Sequence, residues 1–96
     1  MRQAKVIVIN GKDNVATALD RLEKGTTVSV DVKGRTEKIG VLSEIPKGHK
    51  VALKAIAKGE AVIKYGETIG RAVTRIAQGE HVHIHNLTSG PKGGKA

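Results

Sequence analysis

Ile45-Pro46-Lys47-Gly48-His49-Lys50-Val51 sets a spacing that recurs through the chain: an aliphatic residue, a glycine three positions on, and a valine three further. The same spacing appears in Leu22-Gly25-Val28, Ile56-Gly59-Val62 and Ile76-Gly79-Val82. Read physically, each copy is a buried anchor, a turn that needs positive φ, and re-entry into a strand. The copies start 23, 11 and 20 residues apart, so they punctuate one domain and do not stack as a solenoid. Short apolar runs broken by glycine predict a mostly β chain with one or two short helices.

Working outward, Val28, Val30 and Val32 alternate with Thr27, Ser29 and Asp31, as in a half-buried strand. Gly34 turns the chain, and Lys38 to Ser43 is expected to return as the paired strand. At the N-terminus Val6 to Ile9 reads as a short buried strand closed by Asn10-Gly11. Asp13 then offers an N-cap. Val15, Ala18, Leu19 and Leu22 follow at helical spacing, and Gly25 supplies a left-handed stop, which predicts a helix from Asn14 to Lys24. Ile69 to Val73 is ambiguous, its plainest reading a further short strand after the Tyr65-Gly66-Glu67-Thr68 turn. Residues 1–88 make one domain, and 89–96, without an apolar anchor, are expected to be a disordered tail.

Composition narrows the function. Ninety-six residues suit one domain. The core must be aliphatic, because Tyr65 is the only aromatic residue other than histidine. The lack of cysteine excludes disulfides and thiolate metal sites and fits a reducing cytoplasm. No apolar run is long enough for a signal segment or a membrane span. The net charge of +8 suits an anionic small molecule or an acidic partner protein. It does not point to nucleic acid, because the basic residues are scattered and no Phe or Trp is present for base stacking.

Glu80-His81-Val82-His83-Ile84-His85-Asn86 is the stretch richest in chemistry. In a strand, His81, His83 and His85 share one face while Val82 and Ile84 take the other. Two neutral imidazoles at that spacing can converge on one metal or one anion. A solvated strand face is the bland alternative. His49, the fourth histidine, either joins the cluster across strands or is a surface residue, and the second reading is preferred. Lys64-Tyr65-Gly66 offers an ammonium for a carboxylate and a phenol for donation or proton transfer. There is no nucleophile elbow, phosphate loop or dinucleotide fingerprint, so the chain is short of a complete catalytic apparatus.

The elements Gly48-His49-Lys50-Val51-Ala52-Leu53, Lys64-Tyr65-Gly66, Ile69-Gly70-Arg71-Ala72 and His81-Val82-His83-Ile84-His85-Asn86, in this order, resemble the SAF-type β-clip domain of altronate and galactarate dehydratases. The same domain type occurs as the small subunit of sulfolactate sulfo-lyases. The resemblance covers about residues 5 to 88. It implies a β-clip and a large partner subunit that carries most of the active site. It also implies a divalent metal, usually Fe2+, which helps eliminate water or sulfite from a 2-hydroxy acid. In that chemistry a base takes the proton α to the carboxylate, and the leaving group departs from the neighbouring carbon. Carried onto this chain, the resemblance marks His83, His85, Lys64 and Tyr65 as catalytic candidates. Lys64, Asn86 and Arg71 are the substrate-binding candidates, and His83 and His85 the metal ligands. The expectation is therefore the small subunit of a sugar-acid dehydratase, inactive alone. The alternatives are the alpha subunit of a sulfolactate sulfo-lyase, a stand-alone module that binds anionic sugars, or a homo-oligomer sharing the histidines across its interface.

Overall fold

The computed structural model describes residues 6–7, 12–32 and 35–89. Among these there is no helix, only nine strands: β1 (Val6–Ile7), β2 (Val15–Ala18), β3 (Thr27–Val32), β4 (Arg35–Gly40), β5 (Lys50–Ala52), β6 (Ala61–Lys64), β7 (Glu67–Ala72), β8 (His81–Val82) and β9 (Leu87–Ser89). All pairings are antiparallel. They form a four-stranded sheet in the order β1-β2-β5-β8, a β3-β4 hairpin and a three-stranded sheet β6-β7-β9.

The repeated spacing governs this architecture. All four anchors, Leu22, Ile45, Ile56 and Ile76, and all four valines, Val28, Val51, Val62 and Val82, are buried. The intervening Gly25, Gly48, Gly59 and Gly79 all have φ between 84° and 90°. Each glycine is the third residue of a turn, and the amide of the residue after it donates to the carbonyl three positions back. This is the type II pattern, which places glycine where φ must be positive.

The copies then pair. Leu22 and Ile45 exchange both backbone hydrogen bonds, and so do Ile56 and Ile76. The glycine amides complete the symmetry: Gly25 donates to Val41 and Gly48 to Ala18 in one pair, Gly59 to Ala72 and Gly79 to Ala52 in the other. The repeat is thus eleven residues long, running from Ala18, Val41, Ala52 or Ala72 to the valine. The β3-β4 hairpin is inserted between the first pair of copies, and β6-β7 between the second. Each pair builds its own aliphatic cluster. Leu22, Val28, Val30, Ile39, Val41, Ile45, Val51 and Leu53 fill one, together with Ala16 and Ala18. Val15, Ala52, Ile56, Val62, Ala72, Ile76 and Val82 fill the other.

The helix expected from Asn14 to Lys24 is not formed. Strand β2 is buried on both faces, with Val15 in one cluster and Ala16 and Ala18 in the other. A strand covered on both sides loses its alternation, and four apolar positions then mimic a helical stripe. Asp13 does not cap a helix; its carboxylate accepts the Gly66 amide at 2.8 Å. Asn14 is buried and hydrogen-bonded to β6, with Oδ1 accepting from Ile63 at 2.7 Å and Nδ2 donating to the Ala61 carbonyl at 2.9 Å.

Three smaller corrections follow. The returning strand is Arg35–Gly40, earlier than Lys38 to Ser43, because Val28 pairs Ile39 while Glu37 and Lys38 before it are exposed. Ser89 belongs to β9 opposite Gly70 and not to a tail, while 90–96 lie outside the described residues. Val8, Ile9, the Asn10-Gly11 turn and Gly34 also lie outside them. The strand expected at Ile69 to Val73 is present as β7. Its turn is only Tyr65-Gly66, with φ of 57° and 78°, as a two-residue hairpin of the I′ kind requires.

Candidate functional site

The four-stranded sheet brings together histidines that are far apart in sequence. Val51 on β5 pairs His81 on β8. Continuing that antiparallel register sets His49 opposite His83. The His49 carbonyl is fixed from the other side by the Ala18 amide at 2.9 Å. The rings stack accordingly. His49 and His83 have centroids 3.9 Å apart and planes 10° apart, and His49 and His81 are 5.0 Å and 18°. His81 and His83 are 5.5 Å apart, and His85 tilts against His81 at 5.2 Å. His49 Nδ1 and His81 Nε2 share a hydrogen bond of 2.8 Å.

The expected histidine strand is only partly formed, because β8 ends at Val82. Asn86 is the cause. Its buried amide accepts the His83 amide at 2.9 Å and donates to the His81 carbonyl at 2.8 Å, while its own backbone amide donates to His83. These bonds close a turn that leaves Ile84 at 84% exposure and keeps the imidazoles on one side. Asn86, a substrate-binding candidate from sequence, therefore positions the histidines through buried bonds to their backbone.

His49 is a central member of the cluster and not the surface residue that sequence suggested. The repeat explains why. At the equivalent position after the turn glycine, Glu60 and Glu80 fold back to accept the amides of Ala57 and Ala77 at 2.8 and 2.9 Å. In the second copy the corresponding first residue is Pro46, which has no N–H to satisfy. The side chain after Gly48 is released from capping, and it is an imidazole. The Pro46/His49 pairing, where the third and fourth copies close with Glu and the first with Thr26, was the signal that could have identified it.

Burial, and then the neighbouring His49, His85, His83 and Lys50, hold His81 below its ordinary value. Burial, His49, Lys50 and His85 do the same for His83. Neutral rings are therefore favoured in the folded chain. Above the ordinary value of 6.5 both states are neutral and stability is at its full value. As pH falls through that value the unfolded chain takes up protons first, so stability declines until the folded rings also titrate. Denaturant midpoints are expected to be lower at pH 5.5 than at pH 7.5, with the difference reduced in a His81→Gln, His83→Gln double variant. Equal midpoints in the parent protein would show that these rings titrate normally.

His49, His81 and His83 present ligand nitrogens that all lie within 4.8 Å of one another. Neutral imidazoles suit iron, zinc, copper or nickel. A metal would replace the His49–His81 hydrogen bond, since the nitrogens that share it are themselves donors to the ion. The residues fit a borderline divalent cation after a small closure. The set differs from the expected pair: His83 belongs to it, whereas His85 is exposed and outside it.

The remaining candidates lie to one side. Lys64 and Tyr65 end β6 and begin its hairpin turn, with the Lys64 ammonium 4.7 Å above the exposed phenol ring. Arg71 donates to the Gly59 carbonyl at 3.1 Å, and no contact among the described residues joins it to the imidazoles. Lys50, which follows His49 in sequence, is a further residue that sequence reasoning passed over. It is half-buried on β5, opposite Thr17 on β2 and Val82 on β8. Burial, and then the Lys64 charge, hold its ammonium below the ordinary lysine range, and its own charge acts on His81 and His83.

Among the described residues no helix is long and apolar enough to cross a membrane. Comparison with known proteins places the site in context. Residues 4–90 match the family model described as the altronate/galactarate dehydratase SAF domain. The chain is 50% identical over 80 residues to the altronate dehydratase of Escherichia coli (strain K12), covering 83% of this chain and 15% of that enzyme. It is 53% identical over 53 residues to the (2R)-sulfolactate sulfo-lyase subunit alpha of Chromohalobacter salexigens, covering 55% of this chain and 56% of that subunit. With the galactarate dehydratase (L-threo-forming) of Escherichia coli (strain K12) it shares 35% over 78 residues, 14% of that enzyme's length. The chain thus spans a small part of the dehydratases it matches and about half of the sulfo-lyase subunit. With a β architecture, a matching model over nearly its whole length and these relatives, the chain belongs to the altronate/galactarate dehydratase SAF domain family.

Proposed function

We propose that the chain serves as the small, site-completing subunit of a metal-dependent sugar-acid dehydratase of the altronate or galactarate type. A large catalytic subunit supplies the remainder of the active site, and the complex works in the cytoplasm. The stack of His49, His81 and His83 on a solvent-accessible edge of the sheet carries this reading. It concentrates imidazoles, which are ligands and proton carriers, in a chain whose sequence shows no nucleophile–base pair. In the elimination, a base takes the proton α to the carboxylate, that electron pair forms the double bond, and hydroxide leaves from the neighbouring carbon to depart as water. Fe2+ held by these imidazoles would supply charge neutralisation for the developing enolate. His83 either holds the metal or, where it does not, is suited to accept or return a proton, and Tyr65 and His85 stand as further proton-transfer candidates at the rim.

The chain alone is expected to show no elimination activity, and activity is expected when the large subunit is added. His83→Ala or His49→Ala in the complex is expected to lower turnover by roughly a hundredfold, the usual scale for a lost acid–base group. Full turnover from the large subunit alone, or an unchanged rate in both variants, would remove the imidazoles from the reaction.

The identity with a sulfo-lyase alpha subunit favours a second reading, in which sulfite leaves in place of water. Assaying the complex for sulfite release from sulfolactate separates the two. A third reading, a free-standing module for anionic sugars, predicts micromolar binding of hexarates by the isolated chain without any partner.

A further inference from the structure

We infer that Ser43 is a positioning residue of the imidazole site: its hydroxyl holds the His81 backbone on the open edge of β8 and so sets the His81 ring against His49. The ion that these rings would take rests on the proposed function; the ring geometry does not.

Strand β8 is the last in the order β1-β2-β5-β8, so one side of it has no neighbouring strand. His81 is the residue that faces that side. The Ala52 amide donates to the Glu80 carbonyl at 3.0 Å, and in an antiparallel pair the backbone groups of successive residues alternate between the two edges. The His81 N–H and C=O, opposite Val51, therefore both point away from β5. Each is met by a side chain. Ser43 Oγ accepts the N–H at 3.1 Å, and Asn86 Nδ2 donates to the C=O at 2.8 Å. Two short polar side chains thus do for His81 what a further strand would do. Both matter, because β8 is only two residues long.

The repeat shows where this contact comes from. Ser43 is the third residue of the second copy, and the Leu42 amide before it donates to the Gly79 carbonyl at 2.9 Å, which lays the segment beside the approach to β8. The third residues of the other copies, Asp20, Lys54 and Thr74, are exposed, whereas Ser43 is half-buried. The second copy also supplies His49, whose Nδ1 shares the 2.8 Å hydrogen bond with His81 Nε2. One copy therefore grips His81 at two points, the backbone through Ser43 and the ring through His49. A ring follows its own Cα–Cβ bond. A backbone free to swing on its outer side would carry Nε2 away from His49 and out of the group of nitrogens that His49, His81 and His83 bring together.

The test uses the full chain with Ser43→Ala, Ser43→Thr and, as a control at the equivalent exposed position, Thr74→Ala. NMR of the metal-free protein follows exchange of the His81 amide and the ring-to-ring NOE between His49 and His81. Co2+ is then titrated by its visible absorption under conditions where the variants are folded. The parent should show a slowly exchanging His81 amide. Ser43→Ala should speed that exchange about tenfold, weaken the NOE and lower Co2+ affinity about tenfold, the scale of a lost supporting contact. Ser43→Thr, which keeps the hydroxyl, should restore all three, and Thr74→Ala should match the parent. A serine that serves only the fold would lower the urea midpoint and leave the Co2+ affinity of the folded chain unchanged. That result, failure of threonine to restore, or an equal loss in Thr74→Ala would overturn the role. So would a His81 amide that exchanges freely in the parent, which decides the matter even where Ser43→Ala does not fold. A parent that takes up no Co2+ discards the metal reading alone. The NOE then decides: lost in Ser43→Ala and kept in Ser43→Thr, it upholds Ser43; unchanged in both, it overturns it.

Discussion

Replacing Gly79 by alanine is expected to cost at least about 3 kcal/mol of stability, a large share of what a domain of this size possesses. Two separate penalties combine. The backbone at Gly79 has φ of 87°, where an L side chain costs roughly 1–2 kcal/mol. An added Cβ would also overlap the carbonyl oxygen of Gly40, a backbone atom with little freedom to retreat. That neighbour is held by its surroundings: the Leu42 amide donates to the Gly79 carbonyl at 2.9 Å, and Gly40 closes β4 opposite Thr27. The approach of Gly79 to Gly40 is where the second pair of repeat copies meets the first. Gly25 is the matched control, because its φ is 90° but a Cβ there meets nothing within 4 Å. Gly25→Ala should show the conformational penalty alone, about 1–2 kcal/mol. Urea midpoints for the two variants measure the difference. Equal losses would mean that the close approach carries no energetic weight.

The same comparison shows what was legible in the sequence. The glycine-centred spacing reads correctly because its cause is local: a positive φ is a property of one residue, and glycine marks it. The helix assigned to Asn14 to Lys24 fails because its cause is not local. Asp13 and Asn14 look like helix-starting residues, yet their side chains bond to Gly66, Ile63 and Ala61, some fifty residues away. The strand they introduce is wedged between two aliphatic clusters, and a single stretch of sequence does not reveal how many of its faces are covered.

At the site, three alternating histidines were a visible signal. Their grouping with His49 depends on a register between β5 and β8 that is set by the turns at Gly48 and Gly79. Lys50 was hidden for a related reason. In sequence it is one of many scattered lysines, and only the sheet shows it half-buried between Thr17 and Val82. Arg71, which sequence placed with the substrate, donates to the Gly59 carbonyl.

Asn86→Ala is expected to dismantle the imidazole stack while leaving most of the fold in place. The side chain is buried and makes two hydrogen bonds to the backbone of the histidine segment, to His83 N–H and to His81 C=O. Truncation leaves both groups unpaired in a site that water reaches only partly, for a loss of about 2–4 kcal/mol. The larger consequence is positional. Without the side-chain amide, the residues after Val82 are tied into the turn that brings His83 under His49 only by backbone bonds at Asn86 and by β9, since β8 is only two residues long. The His49–His83 separation of 3.9 Å should open, and with it goes the burial and mutual repulsion that keep His83 below its ordinary value. An NMR pH titration of the ring protons should find the His83 midpoint returning upward in Asn86→Ala, and metal uptake by the isolated chain should fall at least tenfold, the usual scale for a lost supporting contact. Asn86→Asp separates position from polarity. It keeps an acceptor for the His83 amide, so the turn should largely persist, but its negative charge favours protonated rings and should raise the His81 and His83 midpoints above those of the parent. If both variants keep the parent's midpoints and metal uptake, the turn is held by other contacts, and Asn86 is an ordinary buried residue with no bearing on the histidines.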